Sequence, residues 1–502
     1  MKVVIIGIDG MDRALLNKYG NRLPTFDALL KTNPNFMLDS VYPPDSITAW
    51  SSIFSGLNPA EHGQVFFVDP CDERTFIESK NSEYSGAQFL KGKTFWDTAS
   101  KYGKKVCILF PLLGYPVWPV NGILAGRVHC SKNVKKTPPQ IFPQNHLSGY
   151  DLSKLNTLKG YPVKGKIPQF LKAAKDTILQ ELDFAMKNLQ IDNWDLFFIY
   201  STAADTIQHS MWKYYDENDP VYAENPYKES ILEIYKLYDQ FIDTILNNID
   251  SDTIMMVFSD HGTGRRPTQL YNINEYLRNK GYINLRATNI RSPIPYNMLE
   301  QVKLELQKFV IKYKLDSAII KVLPLFPWWR KVYNQISALD WPNAKAYAID
   351  LSGINVYTYA GIKINKQNLT NSSYDELRGL LIEDLINASD SISGEKYFKW
   401  ILPREKLYQG KYIAKYPDIV FELDNNYGAG LTVSSTEKRL ADTHEIVSGG
   451  HRKDGAVFLI AGNTSRSIVK TELTLMDIYP SILDALGLPM SPDIEGNSIF
   501  GD

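Results

Sequence analysis

The chain alternates between short apolar runs and longer segments in which apolar residues recur every three or four positions. Apolar runs rich in β-branched and aromatic residues and bounded by turn residues predict buried strands of a parallel sheet. Apolar residues at helical spacing predict amphipathic helices. The predicted strands span residues 3–8, 105–109, 195–200, 253–258, 416–422 and 456–461, and the predicted helices span 12–19, 23–30, 46–57, 94–101, 170–189, 227–249, 373–386 and 475–486.

Strands and helices that alternate in this way predict a doubly wound, mostly parallel α/β sheet with helices on both faces. The pattern breaks at residue 265. The segment that follows holds a predicted helix (296–313), a Pro/Trp-rich turn (323–329) and many basic residues, so we interpret it as an inserted cap. The predicted domains are a first core part (1–264), the cap (265–342) and a second core part (343–502). Loops or surface segments are expected at 111–126, 129–166 and 448–455.

The composition is that of an ordinary globular protein. The 502 residues include 55 Lys and Arg against 56 Asp and Glu, so no bulk charge attracts nucleic acid or an anionic membrane. Cys71, Cys107 and Cys130 lack C-x-x-C spacing, which argues against a disulfide framework and a thiolate zinc site. No apolar stretch is long enough for a transmembrane helix. We therefore expect a cytoplasmic protein, and a homo-oligomer is compatible with the sequence.

The first predicted strand stops at an acid, Asp9, which is followed by Gly10. The carboxyl ends of parallel strands are where α/β sheets place their sites. A buried carboxylate is costly unless it is paired or bound to a metal. Asp9 is therefore either a metal ligand or a cap of the next helix, and this stretch alone leaves both open.

Other residues with metal-ligand chemistry follow later predicted strands. Asp205 and His209 are four positions apart, which on a helix places both side chains on one face. Asp260 and His261 end a strand in the segment SDHG, and His451 lies in the glycine-rich segment SGGHRKDG. Each fragment alone has an ordinary alternative, such as a surface pair. The combination is much less expected by chance, and it predicts convergence at one sheet edge.

Ser46 lies at the amino end of the predicted helix 46–57. Unpaired backbone N–H groups and the positive end of the helix dipole there suit a phosphate or an alkoxide. The alternative is that Ser46 is a helix N-cap, although Ala49 three residues later does not complete a capping box.

Taken in order, these segments resemble the alkaline phosphatase superfamily, specifically its type I phosphodiesterase/nucleotide pyrophosphatase branch. That branch has a strand ending in Asp-Gly, a Pro-Pro-x-Thr-x-Pro-Ala-Trp segment with the nucleophile, then Asp-x-x-x-His, Ser-Asp-His-Gly and Gly-x-His. Here PPDSITAW matches with Ser46 in the nucleophile position, and further similar segments are NPAEHG, PVNGILAG, DWPNAKAYAI, REKLYQGKY and YPDIV. Nearly the whole chain is covered, with looser similarity in the cap and in residues 129–166.

The resemblance implies an alkaline-phosphatase-like fold and a metal-dependent hydrolase of small-molecule phosphate esters, with phosphodiesters favoured. It implies a phosphoseryl intermediate on Ser46 and two divalent ions, usually zinc. Carboxylate and imidazole ligands suit Zn²⁺, and two ions can stabilise the attacking and leaving oxygens. Carried over by position, one ion would be held by Asp9, Ser46, Asp260 and His261, and the other by Asp205, His209 and His451.

The segment around Ser46 departs from the branch. Thr48 stands at the usual proline position and is a second candidate nucleophile or substrate contact. Ala49 stands where nucleotide pyrophosphatases have asparagine, so no nucleotide preference is implied, and Asp45 adds an acid beside the nucleophile. Serine is the commoner nucleophile in monoesterases. Arg452 is a candidate for binding phosphate oxygens, and an exposed loop arginine is the alternative.

Three alternatives to a phosphodiesterase stay open. A phosphomonoesterase, phosphonate hydrolase or phosphomutase would use the same scaffold. A binding module would keep the fold without activity, although every candidate ligand position in this sequence carries a residue that can bind a metal. The basic and aromatic residues of the cap, Lys321 and residues 328–331, also fit docking on a membrane or lipid headgroup, whereas a cap that covers the active site is the ordinary interpretation.

Overall fold

The structure is a computed structural model. It describes residues 2–33, 35–65, 85–128, 137–146, 150–155, 158, 160–162, 165–284, 343–349, 351, 357–367, 369–389, 394–431, 438–440, 447–462 and 466–501. Among these residues, every helix is too short or too polar to span a lipid bilayer.

The elements described before residue 285 alternate between strand and helix. The strands are β1 (Lys2–Ile8), β2 (Met37–Asp39), β3 (Val106–Leu109), β4 (Gly122–Gly126), β5 (Gln140–Phe142), β6 (Leu196–Ser201), β7 (Thr253–Phe258), β8 (Gly262–Arg265) and β9 (Gln269–Asn272). The helices are α1 (Arg13–Tyr19), α2 (Pro24–Thr32), α3 (Ser46–Ser55), α4 (Pro59–His62), α5 (Ser85–Leu90), α6 (Phe95–Lys101), α7 (Ile167–Leu189), α8 (Ala203–Tyr215), α9 (Ser230–Leu246) and α10 (Ile273–Asn279).

The elements described after residue 342 are mostly strands. The strands are β10 (Ala346–Ile349), β11 (Tyr359–Ile364), β12 (Phe398–Pro403), β13 (Ile419–Leu423), β14 (Tyr427–Gly430), β15 (Lys438–Leu440), β16 (Gly449–Arg452), β17 (Phe458–Gly462) and β18 (Glu472–Thr474). The helices are α11 (Asn371–Ile386) and α12 (Ile478–Ala485).

The main sheet has seven strands in the order β17-β7-β1-β6-β3-β4-β5. The five inner strands pair in parallel, whereas the edge strands β17 and β5 pair antiparallel with their neighbours. The strand β1 is central, and its end pairs Ile8 with Ser201 of β6 and Gly7 with Phe258 of β7. The carboxyl ends of three neighbouring strands therefore lie side by side.

Alternate residues of β1 are buried against different helical layers. Val4 and Ile6 pack in the core under α1, α2, α7, α8 and α9, whereas Val3 and Ile5 pack in the core under α3, α6 and α12. This is the side-chain alternation of a strand covered on both faces. The predicted doubly wound α/β fold, with helices on both faces of a mostly parallel sheet, is confirmed.

Residues 111–126 were expected to form a loop, and this expectation is wrong, because they contain β4 in the main sheet. Its short apolar run, Ile123, Leu124 and Ala125, is fully buried. A run of this length shows no period, so only the parallel pairing with β3 determines the strand. Residues 129–166, expected at the surface, likewise contribute β5 to the sheet edge.

The glycine-rich segment 448–455 is also not only a loop, because it contains β16, which pairs antiparallel with β8. A Cβ atom added to Gly449 would lie 2.4 Å from the carbonyl oxygen of Gln208. Glycine at this position therefore lets the backbone of β16 pass close to α8, a long-range contact that the local sequence does not indicate.

Of the predicted cap, residues 265–284 are described and the rest of 265–342 lies outside the described residues, including the predicted helix 296–313, the turn 323–329 and residues 328–331. In the described part, β9 pairs with β14 and β15 of the second half of the chain. A separate antiparallel sheet has the order β10-β11-β13-β12. The division into core and cap stays a prediction.

Candidate active site

The candidate ligands meet at the carboxyl edge of the main sheet. Asp9 directly follows β1, and its backbone N–H donates to the carbonyl of Ser201 at 2.9 Å. Asp260 and His261 lie between β7 and β8, and α8, which carries the Asp205 and His209 pair, begins just after β6. His451 is brought to the same place by β16, which pairs with β8.

Ser46 is the first residue of α3, and Asp45 is the N-cap, whose carboxylate accepts a hydrogen bond from the Ile47 N–H at 3.1 Å. The alternative of Ser46 as the N-cap is therefore excluded by the geometry. The Ser46 hydroxyl donates to Asp9 Oδ1 at 3.1 Å and lies 3.4 Å from His261 Nε2. The hydroxyl thus faces the cluster of candidate ligands.

The three histidines are oriented in the same way. Each places its Nδ1 atom at hydrogen-bond distance from a backbone carbonyl oxygen, which only accepts, so Nδ1 carries the hydrogen. In a neutral ring, Nε2 then offers a lone pair towards the carboxylates, as in histidine ligands of metals. The Nδ1 partners are Gly449 for His209 at 2.8 Å, Gly262 for His261 at 3.0 Å and Pro44 for His451 at 2.8 Å.

Asp205 lies between two groups of potential ligand atoms. Its Oδ1 is 3.2 Å from His209 Nε2 and 3.4 Å from His451 Nε2. The potential ligand atoms of Asp205, Asp9 and His261 also all lie within 4.8 Å of one another. Asp260 Oδ2 is 3.4 Å from His261 Nε2. The cluster therefore offers ligands at two adjacent positions that share Asp205.

Burial and mutual repulsion dominate the electrostatics of the site. Burial, with the nearby charge of Asp9, raises the pKa of Asp260 well above its usual range. Burial alone would lower the pKa of His261, but the carboxylates of Asp260 and Asp9 raise it to about 10. Burial lowers the pKa of His451 to about 3, with cationic His261 adding to the effect. Burial raises the pKa of Asp45 to about 6.

The donor set fits divalent cations. Asp205 Oδ1 and Asp260 Oδ2 are buried and receive no hydrogen bond from the residues that the structure describes. Buried carboxylate oxygens without donors are costly, and a cation satisfies them. Imidazole nitrogens and carboxylate oxygens at these positions are the ligands that zinc and similar ions prefer.

Gly10 allows Asp205 on α8 to lie close to His261 at the end of β7. Its φ is +64°, and an added Cβ would lie 3.0 Å from the Cβ of Asp205 and 3.2 Å from Cε1 of His261. A side chain at this position would therefore be strained and would push α8 away from the end of β7.

A family model described as type I phosphodiesterase / nucleotide pyrophosphatase matches residues 3–323. The chain belongs to this family. Its members are phosphoric ester hydrolases that use divalent metal ions, so the chain is an enzyme of this class. The sequence-based resemblance to the family is thereby confirmed.

Solved structures share the alkaline-phosphatase-like fold. Phosphonoacetate hydrolase from Sinorhizobium meliloti 1021 is 13% identical with a TM-score of 0.55, and the match covers 97% of this chain and 96% of that one. Human ectonucleotide pyrophosphatase / phosphodiesterase 5 is 12% identical with a TM-score of 0.51, and the match covers 100% of both chains. No curated protein sequence matches this chain.

Two tyrosines lie beside the cluster of candidate ligands in this phosphodiesterase-family chain. Neither of them was identified as a site residue from the sequence. The hydroxyl of Tyr200 donates to Asp9 Oδ2. The ring of Tyr357 stacks on His451 with ring centroids 4.7 Å apart. Tyr200 could have been noticed as a polar group near the end of β6, whereas Tyr357 is far along the chain from His451 and carried no local signal.

Arg452 and Thr48, the two predicted substrate contacts, differ in their exposure. Arg452 follows His451, and its guanidinium forms an ion pair with Asp454 at 2.7 Å. Arg452 and His451 line a cavity of about 470 Å³. Thr48 is fully buried in α3, so Ser46, and not Thr48, presents its hydroxyl to the cluster.

Proposed function

We propose that the chain is a phosphodiesterase that acts through a covalent phosphoseryl intermediate on Ser46, supported by two divalent cations, with zinc as the preferred metal. The observation that carries this proposal is the position of the Ser46 hydroxyl. It lies at the amino end of α3, 3.1 Å from Asp9 Oδ1 and 3.4 Å from His261 Nε2, inside a cluster of carboxylate and imidazole groups.

The proposed metal ligands form two sets. The shared position of Asp205 between the sets supports two neighbouring ions. When bound, such ions polarise phosphoryl oxygens and lower the pKa of a coordinated hydroxyl. One set is Asp9, Ser46, Asp260 and His261, and the other is Asp205, His209 and His451.

Ser46 carries out the first step. Its Oγ forms a bond to phosphorus while the bond from phosphorus to the leaving oxygen breaks. The hydroxyl proton of Ser46 passes to the leaving oxygen, which departs as an alcohol, and the other ester substituent stays on the phosphoryl group. The hydroxyl already donates its hydrogen to Asp9 Oδ1, which holds the Oγ lone pairs towards the substrate. The positive end of the α3 dipole favours the negative charge that develops there.

Water carries out the second step by attacking the same phosphorus. The bond between phosphorus and Ser46 Oγ breaks, one proton of the attacking water passes to Ser46 Oγ, and the water oxygen stays on the released phosphate monoester. During both steps the carbonyl partners of the three histidines keep hydrogen on Nδ1, so the Nε2 atoms stay directed at the cluster.

The rest of the substrate has room beside His451. The cavity of about 470 Å³ suits a small molecule, and Arg452 on its wall is the proposed contact for phosphate oxygens. The balanced charge and the sparse cysteines support a cytoplasmic location, and Zn²⁺ is favoured by the imidazole-rich ligand set.

A phosphonate hydrolase or a phosphomonoesterase is the second candidate. Serine in place of the threonine that is usual in diesterase members favours the phosphomonoesterase. The fold shared with phosphonoacetate hydrolase is compatible with a phosphonate hydrolase. A phosphomutase would use the same scaffold.

Turnover by the metal-loaded protein tests the proposal. An aryl phosphodiester, an aryl phosphate monoester and phosphonoacetate are compared, and the diester is expected to have the highest kcat/KM. Ser46→Ala is expected to lower diester turnover by about a thousandfold or more. Ser55→Ala, whose hydroxyl bonds the backbone at the other end of α3, serves as the matched control and is expected to keep activity. Strong preference for the monoester would refute the diesterase proposal.

A further inference from the structure

Asp45 is a carboxylate beside the nucleophile that the proposed mechanism does not use. Its Oδ1 accepts the Ile47 N–H at 3.1 Å, which fixes the side chain at the amino end of α3, directly before Ser46. The side chain is half-buried, and its charge acts on Asp9 and His261 of the cluster. A phosphoryl group attacked by Ser46 therefore lies in the field of this carboxylate.

While the Ser46 hydroxyl keeps its hydrogen, Asp45 supplies the carboxylate that balances the charges of the proposed metal-loaded site. The three ligand carboxylates together with Asp45 bring four negative charges, which equal the charge of two divalent cations. The histidines are neutral as ligands, because the Nδ1 hydrogen is retained and Nε2 binds the metal. Among the described residues, no lysine or arginine forms an ion pair with these four carboxylates.

We propose that Asp45 selects the substrate by charge, favouring a monoanionic phosphodiester over a dianionic phosphate monoester. The inference rests on the proposed function and deepens it. A dianion places more negative charge near the fixed carboxylate than a diester does, so like-charge repulsion discriminates against it. With Asp45 neutralised, one positive charge is left over, and it attracts the second charge of a monoester.

The ordinary alternative is that Asp45 only caps α3. Asparagine and serine cap a helix about as well as aspartate but carry no charge, so Asp45→Asn and Asp45→Ser separate the two roles. Asp27→Asn removes a partly exposed carboxylate on α2 that pairs with Lys31, and it is the matched control. Asparagine and serine differ in size but both lack the charge, so an effect that both Asp45 variants share comes from the lost charge and not from local packing.

Two measurements are made at pH 8 on metal-loaded wild-type and variant proteins. The first is the ratio of kcat/KM for an aryl monoester to that for an aryl diester, which is expected to rise about tenfold in both Asp45 variants. The second is the calorimetric Kd for inorganic phosphate, a dianion at this pH, which is expected to fall by about the same factor. Asp27→Asn and the metal content of all variants are expected to stay at wild-type values.

Each outcome has one meaning. An unchanged ratio with unchanged phosphate affinity would show that Asp45 is only a helix cap. Loss of bound metal in both Asp45 variants would make Asp45 a ligand and would equally overturn charge selection. If the wild type hydrolyses neither ester, the proposed function fails, whereas the phosphate affinities still decide the role of Asp45.

Discussion

His209 and His451 direct their Nε2 atoms at each other across 2.9 Å, while the Nδ1 of each bonds a backbone carbonyl. Two nitrogen lone pairs at this separation repel each other unless a proton or a metal ion lies between them. Asp205 Oδ1 lies within 3.4 Å of both nitrogens and adds a negative charge. The three groups together are a candidate site for a cation.

His451→Ala is expected to remove one of about two bound ions per chain and to abolish most activity, because the second ligand set loses a nitrogen. Metal content after dialysis, measured by elemental analysis, checks this. His146→Ala is the matched control, since His146 bonds Asn188 outside the site. Full metal content in His451→Ala would contradict the assigned ligand set.

Metal uptake is expected to depend on pH through His261. Because nearby carboxylates outweigh burial and raise the pKa of His261 to about 10, the ring is protonated at neutral pH when no cation is bound, and binding must release that proton. The apparent affinity is expected to rise by about tenfold per pH unit between about pH 7 and 9. Calorimetry in buffers of different ionisation enthalpy measures the proton release, and an affinity that does not change with pH would contradict the prediction.

The same group makes the stability of the metal-free protein depend on pH. The pKa of His261 in the folded state lies above the unfolded value of about 6.5, so protonation of His261 stabilises the folded state. This contribution to the free energy of unfolding is fully present below about pH 6.5. This contribution is expected to be lost as the pH rises through about 10, and urea unfolding of metal-free protein measures it.

Tyr200→Phe is expected to weaken metal affinity or activity by about 10- to 100-fold, because Asp9 Oδ2 loses the hydroxyl that orients it. Metal titration with a chelator and diester kinetics measure the effect. Tyr102→Phe, at a side chain that is 53% exposed, is the control and is expected to behave as wild type. Equal behaviour of the two variants would exclude an orienting role for Tyr200.

Much of the site could be predicted because its residues follow local patterns. Asp9 and Asp260 come directly after apolar runs, and parallel strands place such residues at one edge. Asp205 and His209 share a helix face through their spacing. These residues can therefore be recognised as candidate metal ligands from the sequence before any long-range contact is known.

The remaining features depend on contacts between distant parts of the chain. The strand β16 forms only because β8 pairs with it, and its glycines had indicated a loop. The stacking of Tyr357 on His451 joins two segments that no local period relates. The burial of Thr48 depends on helix α3 packing against the sheet, which its position two residues after Ser46 in the sequence does not indicate.

Breaking the buried ion pair of Arg127 and Glu181 is expected to destabilise the fold. Glu181 on α7 also accepts the hydroxyl of Ser201, so the pair joins the ends of β4 and β6 beneath the site. Arg127→Met leaves a buried carboxylate without its partner and is expected to cost about 3–5 kcal/mol. Lys172→Met, which breaks an exposed pair, is the control and is expected to cost about 0.5 kcal/mol or less. Urea unfolding measures both, and equal losses would contradict the prediction.

The most direct measurement is an attempt to trap the proposed covalent intermediate on Ser46. Metal-loaded protein is quenched in acid during turnover of an aryl phosphodiester, digested and analysed by peptide mass spectrometry. The retained phosphoryl fragment is predicted on the peptide that contains Ser46 in the wild type and on no peptide in Ser46→Ala. A Ser46→Ala protein that hydrolyses the diester at the wild-type rate, with the fragment absent from wild-type Ser46 at every quench time, would contradict the nucleophilic role of Ser46.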